Sequence, residues 1–180
     1  MTFEILNRKK IYQGRAFAVE QVLVTLPNGR QQSYDLVSHL PAVTLVPVDR
    51  DRNLWFVSQF RLGSMDDMLE LPAGVLEEGE APANGAAREI REEIGKAAGE
   101  LRLLGSFYMA PGYSSEYMHV FLASSLYDAP LAADADEFLN VHLIPVDEVY
   151  RMVRRNEIRD GKTLAALLLA EPYLREEKDF

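Results

Sequence analysis

Residues 74–95 of the 180-residue chain, GVLEEGEAPANGAAREIREEIG, carry the strongest local pattern in the sequence. Pro82 suits the first turn of a helix and Gly95 suits its C-terminal end, so residues 82–94 are predicted to be helical. At 100° per residue, the apolar positions of this helix gather within an arc of about 100°. These positions are Ala83, Ala86, Ala87, Ile90 and Ile94. The helix therefore has one face suited to a hydrophobic core.

Three glutamates, Glu89, Glu92 and Glu93, occupy the arc beside that apolar face. Glu89 and Glu93 lie one turn apart, and like charges at this spacing destabilise a helix by roughly a few tenths of a kcal/mol. A solvated acidic face is the ordinary interpretation of a glutamate-rich helix. Here the carboxylates lie at the rim of the predicted core and between two glycines. Oxygen ligands at one locus suit Mg²⁺ or Mn²⁺, which would relieve the repulsion.

The spacing of these residues resembles the Nudix box, which ends in Arg-Glu-hydrophobic-any-Glu-Glu-any-Gly-hydrophobic. The positions in register are Gly74, Glu80, Arg88, Glu89, Ile90, Glu92, Glu93 and Gly95. The one departure is Lys96, where the pattern has an apolar residue. The resemblance implies a Nudix hydrolase of the α/β (α+β) class. Its expected fold is an α/β/α sandwich with a mixed central sheet, preceded by a small N-terminal β-hairpin subdomain.

The resemblance also implies a set of metal ligands for two to three Mg²⁺ (or Mn²⁺) ions. The implied ligands are Glu89, Glu93, Glu92, Glu80 and the carbonyl of Ala73. Among these, Glu89 and Glu93 would be the principal ligands, and Glu92 would assist directly or through water. Arg88 and Glu92 would also belong to the catalytic residues. Arg88 would orient the glutamates, and its i, i+4 relation to Glu92 allows that role.

The residues around the box resemble those of ADP-ribose pyrophosphatases. Gln59-Phe60-Arg61 and then Glu70-Leu71-Pro72-Ala73-Gly74 lead into it, and Pro111 follows it where that class carries a proline. The similarity continues through Asp136-Glu137-Phe138 and residues 158–163. The implied reaction is hydrolysis of ADP-ribose to AMP and ribose 5-phosphate, so the expected partner is a small nucleoside diphosphate.

Three alternatives to ADP-ribose hydrolysis remain at this point. GDP-mannose and other nucleotide-sugar hydrolases share nearly all of these residues. Tyr113 stands where hydrolases of dinucleoside polyphosphates tend to carry a tyrosine. A non-catalytic Nudix module that only binds a nucleotide sugar would also fit, although every glutamate of the box is kept.

Candidate residues outside the box can be named for the base and for substrate binding. In the ADP-ribose class a glutamate on a late acidic loop activates water, and Glu137 is the first choice, with Glu116 as the second. Arg61 matches a phosphate bidentately, although a surface salt bridge is its ordinary alternative. Phe17 is a candidate for adenine recognition. Tyr34 stands where relatives often carry a basic residue.

Composition limits the other classes of function. The net charge of −9 disfavours nucleic acid and anionic membranes as partners, and the chain contains no cysteine for disulfides or thiolate chemistry. The N-terminus lacks the character of a signal peptide, so a cytoplasmic location is expected. Residues 1–40 are expected to form a β subdomain for dimerisation and substrate recognition, and residues 41–180 the Nudix domain. The resemblance implies a homodimer.

Apolar runs and turn residues predict the remaining elements. Residues 17–38 are predicted to form two strands joined by a turn at Pro27-Asn28-Gly29. Further strands are predicted at 41–48, 54–60, 101–109, 117–123 and 141–144. Helices are predicted at 146–156 and 162–175, and residues 132–137 are predicted to be a loop.

Overall fold

A computed structural model describes residues 2–132 and 138–175 of the chain. Within these residues the helices are α1 (Pro82–Glu93), α2 (Val146–Arg154) and α3 (Gly161–Leu174). The strands are β1 (Glu4–Gln13), β2 (Ala18–Thr25), β3 (Gln31–Ser38), β4 (Ala42–Pro47), β5 (Asn53–Arg61), β6 (Asp66–Glu70), β7 (Ala73–Val75), β8 (Lys96–Tyr108), β9 (Tyr117–Asp128) and β10 (Asn140–Pro145). The described residues form two compact units, one within Met1–Pro41 and Tyr108–Tyr117, the other within Ala42–Phe107 and Met118–Phe180.

The first unit is built on an antiparallel sheet in the order β1-β2-β3. The central strand β2 buries Ala18, Val22 and Val24. The predicted hairpin of β2 and β3 is confirmed, and in its turn the amide of Gly29, at φ 83°, donates to the carbonyl of Leu26 at 2.8 Å. β1 is absent from the sequence-based prediction because all of its residues are exposed, so no alternation of buried and exposed positions marks it.

The described part of the second unit contains two sheets. The mixed sheet has the order β7-β4-β9-β8, in which β4 pairs in parallel with β9 and antiparallel with β7. The other sheet is antiparallel and has the order β10-β5-β6. β6 and β7 are absent from the sequence-based prediction, since strands of 5 and 3 residues are too short to show a period.

β4 is buried along its whole length and lies at the centre of the mixed sheet. Val43 and Leu45 pack in one hydrophobic cluster with Ala86 and Ile90 of α1. The alternate residues of β4 face away from that cluster, because successive strand residues point to opposite faces. α3 also contacts β4. The predicted architecture of helices layered on a mixed sheet is confirmed, and it fixes α1 against the centre of that sheet.

The remaining predicted elements occur near their expected positions, with different ends. β8 begins at Lys96 and β9 continues to Asp128, so both are longer than the apolar runs that predict them. Strand pairing continues past an apolar run because backbone hydrogen bonds do not depend on side-chain polarity. α2 ends at Arg154. No helix among the described residues is long and apolar enough to cross a membrane.

Candidate active site

The helix α1 holds its carboxylates at a fixed place on the sheet. It begins at Pro82 and is followed by Gly95, whose φ of 69° is a left-handed conformation that glycine adopts without strain. Ala86 and Ile90 are completely buried against β4. Because rotation of α1 would expose these side chains, the glutamates beside them are held at the rim of the core.

Arg88 joins three of the four glutamates of the box. Its Nη1 donates to Oε1 of Glu89 at 2.7 Å and to Oε2 of Glu92 at 2.9 Å. Its Nε and Nη2 donate to the two carboxylate oxygens of Glu80, at 3.2 and 3.0 Å. This pairing with Arg88 holds the pKa of Glu80 below its ordinary value, and pairing with Glu80 raises the pKa of Arg88. The guanidinium thus fixes the direction in which these carboxylates point.

Gly74 leaves the space that the carboxylate of Glu89 occupies. A Cβ atom at position 74 would lie 1.9 Å from Oε1 and 2.0 Å from Cδ of Glu89. Glu89 is only 7% exposed, so its carboxylate has little room to move away. Gly74 pairs with Val43 of β4, which ties this contact to the central strand. The glycine is therefore required by the close approach of helix and strand.

Glu93 is held against the strand that precedes the helix. Its Oε2 accepts a hydrogen bond from the amide of Ala73 at 3.1 Å, and the residue is 6% exposed. Ala73 begins β7 and is followed by Gly74. The two most buried glutamates of α1, Glu89 and Glu93, are thus placed against consecutive residues of one strand.

The side chains of this cluster have the chemistry that a divalent-cation site needs. Carboxylate oxygens are the ligands that Mg²⁺ and Mn²⁺ prefer, and the glycine cradle brings one carboxylate to the backbone of β7. Among residues 2–132 and 138–175, no three His, Asp or Glu side chains are arranged to hold a metal ion. The carboxylate oxygens accept hydrogen bonds from Arg88 and Ala73. The assignment of Glu80, Glu89, Glu92, Glu93 and Ala73 as metal ligands stays a prediction.

Arg61, the candidate phosphate ligand, lies at the end of β5 and is paired with Glu70. Its Nε and Nη2 donate to Oε1 and Oε2 of Glu70, each at 2.7 Å. Glu70 is 1% exposed, whereas 43% of the Arg61 side chain is exposed. The pKa of Arg61 is raised, chiefly by the hydrogen bond to Glu70, and Glu93 also contributes to the rise. A salt bridge is therefore present at Arg61, and a large part of the side chain remains exposed.

Glu70 has a second cationic partner at the start of α3. Lys162 donates to Oε2 of Glu70 and, at 2.9 Å, to Oδ2 of Asp160. Asp160 caps α3 by accepting from the amide and hydroxyl of Thr163 at 3.0 and 2.6 Å. The hydroxyl of Thr163 accepts from the amide of Leu71 at 2.9 Å. These contacts join α3 to the chain just before Gly74.

The other candidates that the structure describes belong to the first unit. Phe17 is 41% exposed, and its ring lies 6.3 Å from that of Tyr12. Pro111 lies in a turn in which the amide of Tyr113 donates to the carbonyl of Ala110 at 3.0 Å. The carbonyl of Glu116 accepts from the amide of Met109 at 3.1 Å. The segment that carries Pro111 and Glu116 is thus a compact turn.

Hydrogen bonds also tie this turn to β3. The amide of Val37 donates to the carbonyl of Tyr113 at 2.8 Å, and the amide of Ser115 donates to the carbonyl of Val37 at 3.0 Å. The predicted base Glu137 lies outside the described residues. Its assignment, and those of Glu116, Pro111 and Phe17, stay predictions.

Several residues of the site do not follow from the motif alone. Glu70, Asp160, Lys162 and Thr163 lie in stretches that carry the family resemblance, yet the sequence does not indicate that they meet. The available signal is local, because an aspartate directly before a helical segment is typical of a helix start. The long-range pairs of Lys162 with Glu70 and of Thr163 with Leu71 become visible only in the fold.

Comparisons with known proteins agree with this geometry. A family model described as the NUDIX domain matches residues 38–167. The chain is 34% identical over 164 residues to the ADP-ribose pyrophosphatase of Bacillus subtilis (strain 168), covering 90% of this chain and 89% of that protein. It is 32% identical over 164 residues, with the same coverage, to the methanol dehydrogenase activator of Bacillus methanolicus. The crystal structure of an ADP compounds hydrolase matches with a TM-score of 0.86 and 28% identity, covering 97% of this chain and 95% of that one.

Proposed function

The chain belongs to the NUDIX domain family and is a Nudix pyrophosphohydrolase, and we propose that it hydrolyses the diphosphate of a nucleotide sugar, ADP-ribose first among them. The products would be AMP and ribose 5-phosphate. One observation carries the proposal: Arg88 orients Glu80, Glu89 and Glu92 beside the glycine that admits Glu89. The similarity to an ADP-ribose pyrophosphatase supports the choice of substrate.

The proposed cofactor is Mg²⁺ (or Mn²⁺), with two to three ions, in a family that generally uses divalent metals. Glu89 and Glu93 would hold the ions, with support from Glu92, Glu80 and the carbonyl of Ala73. Bound ions of this kind neutralise a diphosphate and lower the pKa of coordinated water. The buried positions of Glu89 and Glu93, at 7% and 6% exposure, support their assignment as the principal ligands.

The protein's own side chains would supply orientation, binding and proton removal. Arg88 keeps the carboxylates directed and does not itself need to touch the substrate. Arg61 would contact a phosphate through the exposed part of its guanidinium. Hydrolysis adds one water across the P–O–P linkage, so one phosphorus gains the hydroxyl and the bridging oxygen leaves with the other phosphate. Glu137 would accept the proton of that water, and Glu116 is the alternative base.

The first unit is proposed to recognise the nucleoside and to support a homodimer. Phe17 offers an exposed aromatic ring for an adenine base, and Pro111 lies in the turn held against β3. In this proposal residues 1–40 form the recognition subdomain and residues 41–180 the hydrolase domain. Sedimentation of the purified protein would test the dimer.

The substrate is best determined with a panel of compounds. Purified protein and Mg²⁺ would be incubated with ADP-ribose, GDP-mannose, other nucleotide sugars and diadenosine polyphosphates, and nucleotide release would be followed. We expect ADP-ribose to have the highest kcat/KM. A preference for GDP-mannose or a dinucleoside polyphosphate would change the assigned substrate, while hydrolysis of a diphosphate linkage would remain the reaction. Binding of ADP-ribose without turnover of any compound would favour the non-catalytic nucleotide-sugar-binding module instead.

A further inference from the structure

A chain of four charges runs from β5 to the start of α3, and its two inner members are buried. It alternates in sign from Arg61 to Glu70, Lys162 and Asp160. Arg61 is its exposed end, with 43% of the side chain accessible, whereas Glu70 and Lys162 are 1% and 9% exposed. Charges are rarely buried to this extent unless each has a partner, so every member depends on the next.

Glu70 sets the orientation of Arg61. The guanidinium binds Glu70 through two parallel hydrogen bonds, each 2.7 Å long, which fixes both its position and its plane. These bonds use Nε and Nη2 of Arg61, and 43% of the side chain remains exposed. Glu70 also lies three residues before Ala73, whose amide donates to the carboxylate of Glu93 at 3.1 Å. Arg61 is therefore held in a defined orientation with much of its side chain exposed.

Lys162 shares the carboxylate of Glu70 with Arg61. With Lys162 present, the carboxylate of Glu70 is shared between two cations. Without the ammonium group of Lys162, the carboxylate of Glu70 would pair with Arg61 alone. The two side chains could then move together. Lys162 is itself fixed by Asp160, which caps the first turn of α3. A rigid helix end thus supports the buried carboxylate that orients the exposed arginine.

We propose that Lys162 is a positioning residue for diphosphate binding, acting through Glu70 to hold Arg61 in the orientation that contacts phosphate. The inference rests on the proposed function, in which Arg61 is a phosphate ligand. Lys162 does not touch the substrate in this account. Its loss therefore affects binding more than the chemical step.

A double-mutant cycle between Lys162 and Arg61 tests this dependence. The probe is inorganic pyrophosphate with Mg²⁺, whose dissociation constant is measured by titration calorimetry for the wild type, Lys162→Met, Arg61→Ala and the double variant. We expect Lys162→Met to weaken binding about tenfold, which is the effect of losing a charge-assisted contact. In the Arg61→Ala background the same substitution should have no further effect. An equal loss in both backgrounds would overturn the proposal.

Stability needs a separate control, because a buried charge is left without its partner in Lys162→Met. The pair Glu70→Gln with Lys162→Met removes both charges, so we expect its melting temperature to recover toward that of the wild type while pyrophosphate binding stays weak. Recovery of binding together with stability would mean that Lys162 is only structural. Lys96→Met, which removes a lysine paired with Asp128, should leave the dissociation constant unchanged.

Kinetics provide a second readout on the substrate that the wild type hydrolyses. Lys162→Met should raise KM about tenfold and change kcat less than threefold. Lys162→Arg keeps a positive charge, so its KM should lie between those of the wild type and Lys162→Met. A fall in kcat at constant KM would contradict the positioning role. Failure of the wild type to bind pyrophosphate would overturn this inference, whereas failure to hydrolyse any nucleotide sugar would overturn the proposed function.

Discussion

The carboxylate of Glu89 lies where a side chain at Gly74 would be, since a Cβ atom there would come within 1.9 Å of Oε1. Helix α1 and strand β7 therefore approach each other more closely than any other residue at position 74 permits. The contact joins the first and a central member of the box, which are far apart in sequence. It explains in steric terms why a glycine and a glutamate belong to one motif.

Gly74→Ala should displace Glu89 and lower both activity and stability. We expect kcat/KM to fall about 100-fold, because a displacement of about 1 Å in a catalytic group has an effect of this size. The free energy of unfolding should fall by about 1–3 kcal/mol, as for other overpacked sites. Steady-state kinetics and urea denaturation measure the two effects. Gly63→Ala is the matched control, since nothing lies within 4 Å of its added Cβ atom; equal losses in both variants would contradict the steric explanation.

Arg88→Met should destabilise the protein most when metal is absent. The variant leaves the carboxylates of Glu80, Glu89 and Glu92 without their shared cation, so the free energy of unfolding should fall by about 2–4 kcal/mol. Added Mg²⁺ should reduce the difference in melting temperature from the wild type, because the proposed metal site uses the same carboxylates. Arg155→Met removes an exposed arginine and should change stability little. A difference in melting temperature that Mg²⁺ does not alter would contradict this account.

Lys96→Leu should be tolerated, although Lys96 is the position where the chain departs from the box. Its ammonium lies 4.8 Å from the centre of the Trp55 ring and pairs with exposed Asp128. A leucine can pack against the same ring, so we expect the free energy of unfolding to change by less than about 1 kcal/mol. Trp55 is the single tryptophan, and its fluorescence gives a direct readout of unfolding. A loss of activity above tenfold would assign Lys96 a role in the site.

Divalent metal should stabilise the folded protein through the glutamates of α1. At 100 times its dissociation constant, a ligand that binds only the folded state adds about 2.7 kcal/mol to the free energy of unfolding. The melting temperature with and without Mg²⁺ measures this effect, and Glu93→Gln should remove most of it. An equal rise in the wild type and in Glu93→Gln would place the metal elsewhere.

The sequence predicts the centre of the site better than its surroundings. The period of residues 83–94 and the spacing of the glycines and glutamates predict α1, and the structure confirms that helix. The same pattern does not reveal the contact between Gly74 and Glu89. That contact depends on the approach of β7 to α1, which is set by how the sheet is assembled. Fold class follows from the motif, whereas packing distances do not.

The contacts that hold Arg61 in place are likewise not predictable from the sequence. The sequence makes Arg61 a candidate phosphate ligand from its chemistry alone, with a salt bridge as the alternative. Glu70 lies nearby in sequence, but Lys162 approaches it from a helix near the other end of the chain. Pairs of this kind are set by the tertiary fold and leave no periodic signal in the sequence.

In the proposed function, the glutamates of α1 hold the metal ions that hydrolysis of the diphosphate requires. The most direct test is the rate of AMP formation from ADP-ribose by the wild type and by Glu93→Gln, with Mg²⁺ and with a chelator. Glutamine can still accept the hydrogen bond from Ala73, so the variant should keep its fold by circular dichroism. We predict Mg²⁺-dependent turnover by the wild type and a kcat lower by about three orders of magnitude in Glu93→Gln. A folded Glu93→Gln variant with near wild-type kcat would contradict the account.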